Sequence, residues 1–135
     1  MKLIEKIENT IEYDKLINQQ LENLSQFDNL TECEILELTI HHKSSEAGIL
    51  IEYLGHEKLK NHLPIFLAFT QDGNWPAAGG AAKMLVKARE IIIPEIKKVF
   101  KVFWNDEIWH YWILILIIGN WDKELVENLK PELIE

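Results

Sequence analysis

Apolar residues recur along the first segment at Leu3, Ile4, Ile7, Ile11, Leu16, Ile17, Leu21 and Leu24. Their steps of three, four and five place them on one helix face, with acids and lysines on the other. The pattern predicts an N-terminal helix within residues 1–30, closed by a polar break around Phe27. Thr31 stands three residues before Glu34, the spacing of a capping box. It predicts a helix running through Ile35, Leu36, Leu38 and Ile40. His41 to Ser45 reads as a polar turn, with Ser45 capping a helix whose apolar face is Ile49, Leu50, Tyr53 and Leu54. Gly55 sits where a left-handed glycine would end that helix.

Prolines punctuate the rest of the chain. Pro64 fits the first turn of a helix through Ile65, Phe66, Leu67 and Phe69. Gln71-Asp72-Gly73-Asn74 has the composition of a turn. Trp75-Pro76 then predicts a helix start, continued by Ala77, Ala78, Ala81, Ala82, Met84 and Leu85. Gly79-Gly80 falls inside this helix, where glycine costs about 1 kcal/mol relative to alanine. We read the pair as a close helix approach or a kink. Pro94 opens a helix with Ile96, Val99, Phe100 and Phe103. Asn105-Asp106 turns the chain into its most apolar run, Ile108 to Ile118, which reads as a helix buried inside the domain. Gly119-Asn120 ends it, and Asp122 caps a last helix through Leu125, Val126 and Leu129. No stretch alternates as a strand would, and no Gly/Ser/Pro linker divides the chain.

Two corners repeat. Asp72-Gly73-Asn74-Trp75 and Asp106-Glu107-Ile108-Trp109 share the form Asp-x-x-Trp, 34 residues apart, and Leu63-Pro64 matches Ile93-Pro94 at a spacing of 30. A period in the thirties with two helices per unit is the signature of an α-solenoid. The expected fold is therefore a single all-α domain over residues 1–135, a short right-handed solenoid of stacked antiparallel helix pairs. In each corner the aspartate faces the N-terminus of the next helix. Trp75, Trp109 and Trp112 are expected to be core wedges between pairs. Phe103 completes a core face, which leaves Trp104 exposed.

Composition narrows the function. The chain has 135 residues, 47% hydrophobic and 27% charged, the balance of an ordinary globular domain. Cys33 is its one cysteine, so no intrachain disulfide exists. The first ten residues lack the apolar core of a signal peptide. The apolar run at Ile108 is too short to cross a bilayer, which takes about 20 residues. The cytoplasm is the default that remains. The net charge of −8 argues against general nucleic-acid affinity. The charge is uneven, however. Residues 83–105 carry six cations against two acids, between acidic ends.

Leu63-Pro64, Gln71-Asp72, Asn74-Trp75-Pro76, Ala78, Pro94, Ile96, Val99, Asp106, Trp109, Tyr111-Trp112 and Leu114 together resemble a bacterial family, the domain-of-unknown-function 5071 family. The most recognisable pieces are Gln-Asp-x-Asn-Trp-Pro, at Gln71 to Pro76, and Trp-x-Tyr-Trp, at Trp109 to Trp112. The resemblance covers residues 40–130, leaving the N-terminal helix outside. It implies a HEAT-like fold and structural roles for Gln71, Asp72, Asn74, Trp75, Pro76, Asp106, Trp109, Tyr111 and Trp112. It implies no activity.

Candidate chemistry is sparse. His56-Glu57 opens like a zinc-protease motif, but Lys60 stands where the second histidine belongs and His62 comes too late. His41-His42 reads as solvated turn surface, and His110 as a packed or helix-start residue. Cys33, between Glu32 and Glu34, lacks the positive cluster of a nucleophilic thiolate. Gly79-Gly80 has no phosphate-loop ending. No catalytic residue, metal ligand or cofactor site is assigned. The expected function is a non-catalytic module that binds another protein, in the manner of an immunity-like or regulatory protein. Its candidate contact residues are Lys83, Lys87, Lys97, Lys98, Lys101 and Trp104. The alternative is an anion- or nucleic-acid-binding module using the same lysines. No membrane partner is expected, and the sequence leaves oligomeric state open.

Overall fold

Local capping rules set most of the helix starts in the computed structural model, which describes residues 2–134, with the side chains of Asn128 and residues 130–134 left out. The helices are α1 (Leu3–Thr10), α2 (Leu21–Ser25), α3 (Glu32–Leu38), α4 (Ser45–Lys58), α5 (Leu63–Ala68), α6 (Ala78–Ala88), α7 (Ile93–Val102), α8 (Glu107–Leu116) and α9 (Lys123–Ile134), with short 3-10 turns in several of the connections. No strand occurs among the described residues. The protein is all-α.

Thr31 caps α3 as its spacing implies. Its hydroxyl accepts from the Glu34 N–H at 3.2 Å, and the Glu34 carboxylate accepts from the Thr31 N–H at 3.0 Å. Asp122 accepts from the Leu125 N–H at 2.9 Å and opens α9. Pro64 and Pro94 lie in the first turns of α5 and α7, where a missing N–H leaves nothing unbonded.

Several boundaries differ from the sequence expectation. The N-terminal segment is two helices, not one. The chain leaves the helix at Ile11, and the Gln20 side chain holds the intervening loop by bonding the backbone N–H and C=O of Glu12 and the C=O of Lys15. The five-residue step from Ile11 to Leu16 marks the break. Leu16 and Leu21 consequently face outward. Ser44, rather than Ser45, caps α4, accepting from the Ala47 N–H at 3.1 Å. Gly55 does take positive φ, +80°, but it kinks α4 and helical backbone resumes to Lys58. α3 buries Ile35 and Leu38 and leaves Leu36 and Ile40 exposed. α6 starts at Ala78 instead of Trp75-Pro76.

Alternate helices are neighbours. α4 packs on α6 and α6 on α8, while α5 packs on α7 and α7 on α9. The α4–α6 contact is the closest. A Cβ on Gly80 would overlap the Gly48 carbonyl, and one on Gly48 would lie 2.9 Å from the Ala77 Cα. Of the two glycines in α6, Gly80 makes the close approach and Gly79 faces open space. Phe27, Leu50, Ile51, Phe66, Leu85 and Ile92 fill the core with no measurable exposure. α6 ends at Arg89, a non-glycine with φ +51°. Its guanidinium meets Asp122 at 2.9 Å, tying the end of α6 to the start of α9.

Candidate interaction surface

α8 carries no charged residue after Glu107, and the uncharged stretch, apart from His110, runs from Ile108 to Trp121. Asp106 caps it, accepting from the Trp109 N–H at 3.0 Å. Only one side is covered. Trp109 and Ile113 are buried, but Ile108 is 68% exposed and Tyr111 53%, with Leu114 and Ile115 also exposed. Steps of three and four between Ile108, Tyr111 and Ile115 put them on one outward face. The expectation of a wholly buried helix is therefore corrected. A helix apolar on all sides tells its type from sequence, but not how many neighbours will cover it.

The turn before α8 extends this surface. Trp104 is 73% exposed, as expected. Phe103 does not complete a core face. It is exposed too, with its ring 5.2 Å from that of Trp109. Val102 lies outward beside it.

Of the three tryptophans expected in the core, Trp109 alone is buried, while Trp75 and Trp112 are half-buried. The Trp109 indole N–H donates to the Thr70 hydroxyl at 3.0 Å, and that hydroxyl donates to the Leu67 carbonyl. The two aspartate corners are also unlike each other. Asp106 caps a helix, whereas the Asp72 carboxylate accepts from the Asn74 N–H and its carbonyl from the Trp75 N–H, closing a turn. That turn delays α6 to Ala78. The Trp75 ring lies 4.3 Å from that of His42, tilted 49° to it. The turn also meets α8. Gly73 sits so close under the Trp112 ring that a Cβ there would overlap it. The two family-like motifs therefore touch each other. Gln71, Asn74 and Pro76 remain at the surface. Trp121 was missed by the sequence reading. It is buried and donates to the Val86 carbonyl at 2.9 Å. An aromatic just before the capping Asp122 is the signal that could have found it.

The lysines divide between two helices. Lys83 and Lys87 are exposed on α6 and, with Glu52, Val86, Leu116 and Asn120, line an open pocket of about 410 Å³ beside the C-terminal end of α8. Lys97, Lys98 and Lys101 lie on α7 and do not line this pocket. Lys98 meets Glu95 at 3.5 Å.

The histidines are more engaged than a solvated turn would have them. In addition to the His42–Trp75 ring contact, His62 meets Glu32 at 2.9 Å, and this bond holds the Glu32 carboxyl below its ordinary range. The His110 ring packs at a tilt against that of Phe100, 4.3 Å between centroids. The Leu125 N–H, then the Arg89 guanidinium, hold the Asp122 carboxyl below its ordinary range. Cys33 is exposed. Among the described residues no three His, Cys, Asp or Glu side chains are grouped to hold a metal ion, and no helix is long and apolar enough to cross a membrane.

No curated protein matches the chain, and no solved structure does. A family profile matches it from residue 38 to residue 135, starting at the end of α3 and leaving α1 and α2 outside. The motifs at Gln71 to Pro76 and Trp109 to Trp112 both fall within that stretch, which is well over half of the chain, and the chain belongs to the DUF5071 family, a domain of unknown function.

Proposed function

We propose that this protein is a non-catalytic protein-binding module, a short HEAT-like solenoid of the cytoplasm whose contact surface is the outer face of α8 with the α7–α8 turn. The solenoid reading is supported by the packing of alternate helices, α4 on α6 on α8 and α5 on α7 on α9. Stacked helix pairs leave a long outer surface for partners. The binding reading rests on one observation: Trp104 in the α7–α8 turn and Ile108, Tyr111 and Ile115 on α8, which carries no charge after Glu107, stand in solvent. Exposed apolar patches of this extent mark contact sites, and tryptophan and tyrosine are the usual anchors of such sites.

Affinity capture from cells that carry the gene tests this. The wild-type chain is expected to retain a specific protein through a high-salt wash, because apolar contact survives screening. A Trp104→Ala, Tyr111→Ala double variant with unchanged helicity is expected to lose it. Equal retention by both proteins, or none by either, would overturn the reading.

The alternative of an anion or nucleic-acid module on Lys83, Lys87, Lys97, Lys98 and Lys101 has less support. The lysines lie on two helices, one of them is paired with Glu95, and Glu52 shares the pocket of the first two.

A further inference from the structure

We infer that the occupant of the α8 face is a second copy of this chain, docked with its own α8 antiparallel across a two-fold axis near Tyr111. The inference rests on the reading of α8 as a contact surface and names what covers it.

At on the order of 200 Å² for a fully exposed large side chain, Phe103, Trp104, Ile108, Tyr111, Leu114 and Ile115 offer roughly 650 Å² of mostly apolar surface. A stable interface takes about 800 Å² from each partner, and about two-thirds of a homodimer interface is apolar. The patch alone approaches that requirement.

Each copy carries a net charge of −8, so most approaches between copies are repulsive. The stretch from Ile108 to Trp121 has no carboxylate and no lysine or arginine. Two copies meet there without placing like charges in the contact.

α8 begins with the capping Asp106 and exposed Glu107. Its C-terminal end, at Leu116 and Asn120, lies beside Lys83 and Lys87, which outnumber the Glu52 carboxylate in the same pocket. An antiparallel pair sets the acidic start of each helix against the basic end of its partner, and opposes the helix dipoles head to tail. A parallel pair would stack Glu107 on Glu107. A two-fold contact of this kind is self-complementary, the commonest arrangement for homodimers.

Sedimentation velocity on the full chain, from low to high micromolar concentration, tests the inference. The wild type is expected to pass from monomer to dimer. Tyr111→Glu is expected to remain monomeric, as is the milder Tyr111→Ser if the first unfolds by circular dichroism. Leu36→Glu, at an exposed apolar site on α3, is expected to dimerise normally. Lys83→Glu with Lys87→Glu is expected to weaken the dimer at least tenfold, and adding Glu107→Lys is expected to recover most of that loss.

A chain that stays monomeric throughout overturns the second-copy inference. The binding reading then stands or falls separately on affinity capture, where a different protein held through Trp104 and Tyr111 would name the occupant instead. A dimer indifferent to Tyr111→Glu overturns the location. One indifferent to the charge exchange overturns the antiparallel arrangement.

Discussion

Gly80→Ala is expected to destabilise the fold by about 3 kcal/mol, at the upper end of the usual cost of overpacking, measured by urea unfolding at constant slope. The added methyl would run into the backbone carbonyl of Gly48, which no rotamer change can move aside. α4 and α6 would have to separate, and their contact ties the first half of the chain to the second. Gly79→Ala, one residue earlier in the same helix, supplies the control. A Cβ there meets nothing within 4 Å. It is expected to stabilise by up to about 1 kcal/mol through helix propensity alone. Neighbouring glycines with effects of opposite sign would locate the close approach at one residue. Two similar effects would remove it.

Trp109→Ala is expected to cost about 3–5 kcal/mol, the range for losing a large buried aromatic. Against a total stability of about 5–15 kcal/mol, this brings the domain near its unfolding limit. The indole fills the space between α8 and the turn after α5, and its N–H is tied to the buried Thr70 hydroxyl. Thr70→Val separates the two contributions. It keeps the packing but strands the indole N–H, at about 1–3 kcal/mol. Trp104→Ala, five residues away and exposed, is expected to change stability by no more than about 0.5 kcal/mol. The contrast between the two tryptophans, read from the same urea transitions, distinguishes core from surface at this corner.

Helix type was legible wherever a local rule acts alone. The reciprocal spacing of Thr31 and Glu34, the prolines at 64 and 94 and the aspartate at 122 each satisfy the backbone within a single turn of chain. Their helices begin as the residues indicate. The N-terminal break was less legible, because Gln20 closes the loop through bonds to Glu12 and Lys15 that no periodicity reports. The corner at Asp72 deceived for a related reason. The same Asp-x-x-Trp letters serve a cap at Asp106 and a side-chain-closed turn at Asp72. The difference lies in Pro76, directly after Trp75, which keeps the preceding backbone out of the helical region.

Depth was the quantity the sequence carried least. Ile108, Tyr111, Leu114 and Ile115 are large side chains like Trp109 and Ile113, and only the packing of α6, α7 and the turn after α5 on one side of α8 separates the two groups. Trp104 is exposed, but not because Phe103 fills the core beside it; Phe103 is exposed as well, and the surface the two share was not legible. The lysine band shows the same limit. Adjacency along the chain placed five lysines together, and the fold gives two of them to the end of α8 and three to a different helix.

α8 turns one apolar face inward and the other to solvent, and the contact surface exists only because it does. Hydroxyl-radical footprinting of the native chain, at a dilution where no self-association occurs, tests this directly. Trp104, Ile108, Tyr111 and Ile115 are expected to label rapidly in the folded protein, with Trp109, Ile113 and Trp121 labelling only after urea unfolding. Protection of Tyr111 and Ile108 to the same degree as Trp109 in the dilute native chain would contradict the account, and would return α8 to the interior.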